Sequence, residues 1–402
     1  MLAYSGLDWG TKEHAVCVVD QAGRVLFERI FPHSDRGLAD LVESLTTIAS
    51  AKELRIAIER PNGLIVDTLV AAGFIVVPIH PNTLKACRPR YRAAGGKSDP
   101  GDAYMLADVL RTDGHRFQEL EPDSDRVKAL RSRVRTRDDL VTAKVALGHQ
   151  LRALLESFWP GPVGLFSRLD CVISLAFIEQ YPTPHSAKRL GLKRMSRFLS
   201  KHGYSGGRTA EDLLDRLNAA PQGQVGPEEE VARGQLCRIL VQLIRNQLEA
   251  IRAITKDIET TVREIPMGEI VLSFPGNADV NAAKLIAEIG STSRFPNAQC
   301  LAAESGVAPV TYQSGKHRGV IYRRACNTRL RVAMTCFADC SRRTSKWADY
   351  VYKSARARGC DHPHAIRILA RAWTRVLWAA LQSGEPYDVT QHRAAQAFVS
   401  AG

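Results

Sequence analysis

The first 80 residues switch so quickly between strand-like and helix-like patterns that a layered α/β sheet is the arrangement that accommodates them. Residues 4–8, 15–20 and 25–31 read as three short strands, with Ala22-Gly23 marking the turn between the last two. Residues 35–48 read as a helix, 54–59 as a strand, 64–72 as a helix and 74–80 as a strand. A three-strand meander followed by alternating helices and strands predicts an α/β domain with a mixed sheet. A further helix is predicted over residues 100–111, with Asp99 as its N-cap and Pro100 at the first helical position.

From Asp123 the pattern changes to long helices. Val127, Leu130, Val134, Val141, Val145, Leu151, Leu155 and Phe158 recur at steps of three or four or their multiples. Leu236, Leu240, Leu243, Ile244, Leu248, Ile251, Ile254, Ile258, Val262 and Ile265 do the same further on. Such stripes predict an antiparallel coiled-coil pair or a dimerisation arm. Between them, residues 159–226 carry Pro/Gly breaks and read as a small helical tip. After Pro266 a compact, mainly helical domain is expected. Its Phe274-Pro275-Gly276-Asn277 reads either as the turn of a helix-hairpin-helix or as a plain interhelical turn. The predicted division is thus 1–122, an arm over 123–265 with its tip inserted, and 266–402.

Charge narrows the class of partner. The 402 residues carry a formal net charge of +13. Residues 315–375 alone hold 15 Lys and Arg against three Asp, so nearly the whole excess lies there. Lys316, Arg318, Arg323, Arg324, Arg329 and Arg331 open that stretch, and Trp347, Tyr350 and Tyr352 are interleaved; Trp373 and Trp378 read as core residues of an amphipathic helix. A second basic group, Lys85, Arg88, Arg90, Arg92 and Lys97, contains no acid, and a third spans 126–137. Such patches neutralise phosphates and release counterions, which points to nucleic acid. No run reaches the roughly 18 apolar residues of a membrane helix, so no membrane role is expected. The start of the chain lacks the pattern of a secretory signal. Nine scattered cysteines without a CxxC pair fit a reducing, cytoplasmic setting. Cys336, Cys340, Cys360, His362 and His364 match no standard zinc spacing.

Four carboxylates stand out by position. Asp8 closes the first predicted strand and Glu59 the fourth, while Asp99 and Asp102 open the helix after the second basic group. Three residues apart, the two aspartates share one helix face. Carboxylates at strand ends facing two more on a helix suit a pair of hard divalent ions about 4 Å apart, as phosphoryl transfer uses. Each acid alone has a plainer reading: a turn aspartate, a strand cap, a capping box. Together they form a rarer pattern. Gly6-Leu7-Asp8-Trp9-Gly10-Thr11 also fits the first phosphate loop of actin-like ATPases, but no second phosphate loop or adenosine site follows.

With these residues in view, the chain resembles the DEDD transposases of the insertion-sequence family numbered one hundred and ten, which includes the pilin-gene invertases. The resemblance runs through Gly6–Asp8, Glu59 with Gly63, and AAGGKSDPGDAYMLADVLR at 93–111. It continues in Phe274-Pro275-Gly276, AESGVAP at 303–309, Tyr312-Gln313-Ser314-Gly315 and Cys326-Asn327-Thr328-Arg329-Leu330-Arg331. Cys326 stands where members commonly have Gly, and Arg60-Pro61-Asn62-Gly63 replaces a shorter Thr-Gly turn. The resemblance implies an N-terminal ribonuclease-H-like, RuvC-type domain with Asp8, Glu59, Asp99 and Asp102 binding Mg2+. It implies Ser314 as a nucleophile that forms a covalent phosphoserine intermediate, with the basic residues named above on nucleic acid. It further implies strand exchange between element ends and target DNA, a structured bridge RNA as guide, and dimers that assemble into tetramers. A metal-dependent junction resolvase or nuclease, with Ser314 structural, is the alternative enzyme.

Overall fold

The computed structural model describes residues 3–91, 96–315 and 317–399, with the backbone alone for 317, 318 and 397–399. The chain divides into two compact units, 1–123 and 124–402.

The first unit is a five-stranded mixed sheet. Strands β1 (Ala3–Trp9), β2 (Glu13–Val19) and β3 (Val25–Pro32) form the antiparallel meander. Asp20 closes the β2–β3 turn by accepting hydrogen bonds from the backbone N–H of Ala22 and Arg24, at 2.8 and 2.9 Å. Helix α1 (Asp35–Ile48) leads to β4 (Leu54–Ile58), which runs parallel to β1; helix α2 (Leu64–Ala71) leads to β5 (Ile75–Pro78), parallel to β4. The strand order is β3-β2-β1-β4-β5. Both faces are covered. On one, Leu38, Leu41 and Leu45 of α1 and Ile65, Val66 and Leu69 of α2 pack on Leu7, Val16, Val18, Ile56 and Ile58. On the other lie helices α3 (Pro81–Tyr91) and α4 (Asp99–Asp113), whose Leu84, Met105, Leu106, Val109 and Leu110 meet Ala57, Val77 and Ile79. The two-residue alternation of strand side chains produces this division, and fully burying each such aliphatic stabilises by about 1.5–3 kcal/mol.

Helix α4 begins one residue earlier than its Asp-Pro start predicts. Ser98 is the cap, its hydroxyl accepting from the Gly101 N–H at 3.4 Å, and Asp99 is already helical. A capping box from Ser98 would use Gly101, which has no side chain, so Asp102 does not serve as a capping-box partner.

The second unit is mostly helical. Helix α5 (Asp125–Glu156) and helix α10 (Pro227–Glu264) run side by side and antiparallel: Arg133 donates to Thr261 Oγ1 at 3.2 Å and Arg137 to Thr255 Oγ1 at 2.8 Å. Their apolar stripes do not make one continuous buried seam. Val127, Leu130 and Val134 join Ile258 and Val262 in one core, whereas Leu151 and Leu155 join Cys237, Val241 and Ile244 in another. The second core belongs to the tip, built from α6 (Val172–Gln180), α7 (Pro184–Ala187), α8 (Leu192–Lys201) and α9 (Ala210–Ala219). Leu248 packs against it, while Leu236, Ile239 and Leu243 lie exposed on α10.

The first core continues into α11 (Pro266–Leu272), α12 (Asp279–Ile289), α13 (Ala298–Glu304), α14 (Thr328–Ser341), α15 (Lys346–Ala357), α16 (His362–Ser383) and α17 (Arg393–Val399). In the turn after α11, buried Asn277 donates to the Val271 carbonyl at 2.9 Å and accepts from Asn281 at 2.8 Å. Trp373 is fully buried and donates to Ser341 Oγ at 2.8 Å. Between α13 and α14 a β-hairpin interrupts the otherwise helical domain, β6 (Val310–Ser314) with β7 (His317–Ile321).

Candidate active site

The acidic residues converge because of how β1 and β4 end. Leu7 is paired in parallel with Ile58, so Asp8 and Glu59 are the next step on neighbouring strands and point to the same face. That face carries α4. Gly6, two residues before Asp8, lies directly under the helix: a Cβ there would stand 2.0 Å from the Ala103 carbonyl oxygen and 2.4 Å from the Ala107 nitrogen. The missing side chain lets α4 settle on β1 and brings its first turn, with Asp99 and Asp102, over the strand ends. Asp102 is buried, Asp99 is exposed, and Asp8 and Glu59 are half-buried.

Burial pushes the Asp8 carboxyl up to about 6, and the negative charges of Asp102, Asp99 and Glu59 push in the same direction against a lowering by Lys97. Four carboxylates therefore share one electrostatic neighbourhood. Arg88 of α3 answers part of that charge. Its guanidinium grips both oxygens of Asp102, at 2.7 and 2.9 Å, and Glu59 and Asp8 add to the field that holds it charged. Arg60 lies with its guanidinium 4.4 Å from the centre of the Trp9 ring, so the two strand ends also carry a stacked cation and an aromatic.

The donor set fits a hard divalent cation, because it consists of carboxylate oxygens at the ends of β1 and β4 and in the first turn of α4. No ready-made cage is present, because among the described residues no three His, Cys, Asp or Glu side chains are grouped to hold a metal. Both Asp102 oxygens are engaged by Arg88 instead.

Ser314 lies in the second unit as the last residue of β6, exposed, with Gly315 following at φ +54° and His317 as its register partner across the turn. Tyr312 lies two residues earlier on the same strand face, opposite Gly319, and is exposed along with Val320 and Ile321. The base of the hairpin is tied down by arginines. Arg323 donates to the Ala308 carbonyl at 3.2 Å, and Arg331 donates to the carbonyls of Arg323 and Arg324 at 2.6 and 3.3 Å. Arg331 and Arg367 both lie over the Tyr322 ring, at 4.5 and 5.0 Å.

The other basic candidates divide in the same way. Arg329 pairs with Asp139 at 3.2 Å, while Arg324 and Arg90 are exposed, the latter 5.9 Å from the Tyr91 ring centre. Arg92, Lys316 and the Arg318 side chain lie outside the described residues. Sequence reasoning missed the role of Arg88 toward Asp102 and the hairpin around Ser314. The hairpin had a signal, since Val310, Thr311, Tyr312 and Val320, Ile321, Tyr322 flank the Ser314-Gly315 turn with β-branched and aromatic residues. The Arg88 pairing had none: its 14-residue separation from Asp102 matches no local rule.

Comparison with known proteins bears on both elements. Residues 5–160 match a family pattern described as Transposase, and residues 268–353 match one described as Transposase IS116/IS110/IS902 family. A Streptomyces coelicolor protein named as a mini-circle transposase for IS117 is 31% identical over 399 residues, covering 96% of each chain. A 44.8 kDa protein of insertion element IS116 from Streptomyces clavuligerus is 30% identical over 387 residues, 94% of each chain. A 42 kDa protein of IS900 from Mycobacterium paratuberculosis is 30% identical over 398 residues, 96% of each chain.

Proposed function

The chain belongs to the IS110 family of insertion-sequence transposases, and from that premise we propose that it cuts and rejoins DNA with the Asp8, Glu59, Asp99 and Asp102 carboxylates and the Ser314 hydroxyl. Family membership makes it a DNA-cleaving and rejoining enzyme, and the DEDD pattern over residues 5–160 implies a ribonuclease-H-like fold for the sheet domain. The observation that carries the acidic half is geometric: Asp8 and Glu59 follow a parallel strand pair on the face where α4, with Asp99 and Asp102 in its first turn, is seated against Gly6.

In this reading the four carboxylates hold Mg2+. When bound, the metal supplies Lewis-acid stabilisation of the charge that builds on phosphate oxygens. The protein's own groups do the rest. Asp8 and Glu59 are fixed by paired strands and Asp102 by a helix seated on β1, a rigid base of the kind that positioned catalysis requires. Ser314 Oγ attacks the phosphorus of the scissile phosphodiester, its proton leaves, and the strand oxygen departs as the phosphoserine ester forms. Attack by a second strand end reverses the step and frees the serine. Ser314, exposed at the end of β6, has its hydroxyl accessible to a DNA backbone.

The basic surface is read as the seat of DNA and of a structured guide RNA. Arg324 and Arg90 are its best-supported members, being exposed; Arg323, Arg329 and Arg331 also make internal bonds. A dimer or tetramer is part of the proposal, supported by the exposed Leu236, Ile239 and Leu243 stripe on α10.

The test is denaturing electrophoresis of the protein with labelled element-end DNA, guide RNA and Mg2+. A covalent protein–DNA adduct is expected from the natural chain and none from Ser314→Ala. Cleavage without an adduct, retained in Ser314→Ala, identifies a water-using nuclease instead.

A further inference from the structure

Arg88 stands where the acidic site needs a cation. Asp102 is buried with a side chain only 5% exposed, and both its oxygens are bound by the one guanidinium. A buried carboxylate is costly without a positive partner. A divalent ion that ligates Asp102 therefore competes with the Arg88 hydrogen bonds for the same two oxygens, and its charge repels the guanidinium it approaches.

We propose that Arg88 is the built-in counter-ion of the acidic site, held by Asp102 before a divalent cation is loaded and displaced from it as the cation takes the carboxylate. This rests on the metal-binding reading given above.

Two features make the exchange mechanically simple. Helix α3 does not depend on the ion pair for its place: Leu84 is buried against the sheet and α4, and the Tyr91 hydroxyl donates to Asp108 at 2.7 Å. Arg88 itself is 19% exposed, so its long side chain can turn toward solvent without moving backbone. The exchange also sets metal affinity. Every cation that binds at Asp102 competes with a bidentate, charge-assisted contact, so Arg88 lowers the site's affinity relative to a chain without it.

The test uses full-length protein stripped with EDTA and titrated with Mn2+, followed by the EPR signal of the free ion, alongside melting curves with and without saturating Mn2+. Arg88→Gln should tighten Mn2+ binding by on the order of tenfold, the scale of one lost hydrogen bond to a charged group. It should also melt below the natural protein in EDTA and draw level with it at saturating Mn2+, because the metal then neutralises Asp102 in both. Arg88→Lys, which keeps the charge but contacts one oxygen at a time, should fall between the two and serves if the glutamine variant does not fold. Equal or weaker Mn2+ binding by the folded variant, or a melting deficit that persists at saturating Mn2+, overturns the proposal: Arg88 is then a fixed structural partner. If Asp8→Asn leaves Mn2+ binding untouched, or the natural chain binds none, the metal-binding reading itself fails and takes the proposal with it.

Discussion

Gly6→Ala is the smallest change that tests why the acidic residues meet. A carbon added at this position would lie 2.0 Å from the Ala103 carbonyl oxygen, 2.4 Å from the Ala107 nitrogen and 2.8 Å from Leu106 Cβ, where real contacts essentially never fall below 3.0 Å. The two nearest atoms are helix backbone, so no flexible side chain can yield, and α4 has to retreat from β1 by about 1 Å. Overpacking of this kind costs about 1–3 kcal/mol, a fall in Tm of roughly 5–15 °C for a domain near this size. The same shift moves Asp102 away from Asp8, and a displacement of about 1 Å in a catalytic arrangement can reduce rate ~100-fold. Calorimetry and a strand-cleavage assay on one sample read both effects. Gly148→Ala in α5 is the control: nothing lies within 4 Å of its added carbon, and it should be neutral or stabilising by up to about 1 kcal/mol. A Gly6→Ala protein that melts and cleaves like the natural chain would refute the argument that helix seating assembles the site.

Four further outcomes follow from the same geometry. Ser314→Ala should bind DNA and RNA with near-natural affinity while giving no adduct, as gel shifts beside denaturing gels would read, because one exposed hydroxyl is lost and no charge changes. Asp8, raised above its ordinary 3.8 to about 6 by burial and then by neighbouring acids, opposes folding once ionised; metal-free stability should fall as pH rises from about 4 to 6 and then level off, and Asp8→Asn should abolish that fall in EDTA melting curves. Arg324→Ala should reduce the slope of log affinity against log salt by about one unit if the residue holds a phosphate, whereas Arg331→Ala should lower Tm, since its guanidinium binds the carbonyls of Arg323 and Arg324. Replacing both Ile239 and Leu243 with Glu should reduce the mass measured by light scattering to that of one chain, with the tip core intact; an unchanged mass removes this stripe from any assembly surface.

The parts of this molecule that were legible in its sequence are those set by local rules. Alternation gave the strand meander and apolar spacing gave α1, whose start is fixed in the structure by the Ser34 cap accepting from Gly37 at 3.2 Å. Strand-end position marked Asp8 and Glu59, because a polar residue that follows an apolar run is conspicuous. The start of α4 was displaced by one residue because Ser98 and Asp99 are both good caps, and only the backbone decides between them. The apolar stripes of α5 and α10 carried the pairing of these helices but not its interruption: spacing cannot say that Leu151 and Leu155 turn to the tip while Val127 and Leu130 turn to the C-terminal helices. The partners of the arginines were invisible for the same reason. Arg88 with Asp102 and Arg329 with Asp139 are made by tertiary approach, and a count of basic residues assigns all of them to solvent.

The tip leaves the long helices and returns to them through one doorway. The Gly223 N–H donates to the Phe158 carbonyl at 2.9 Å, so the chain between those residues begins and ends at the same point. Everything inside that loop closes on its own core, from Trp159 and Phe177 to Met195 and Leu217, with Leu151, Leu155, Cys237, Val241 and Ile244 as the floor. Such a closed excursion can be shortened, lengthened or exchanged for another, and the paired helices need supply only the same floor. Variation in length among mobile elements of this kind would be absorbed here at small cost, leaving the distance along the chain between the acidic strands and the serine hairpin free to drift while each keeps its own local frame.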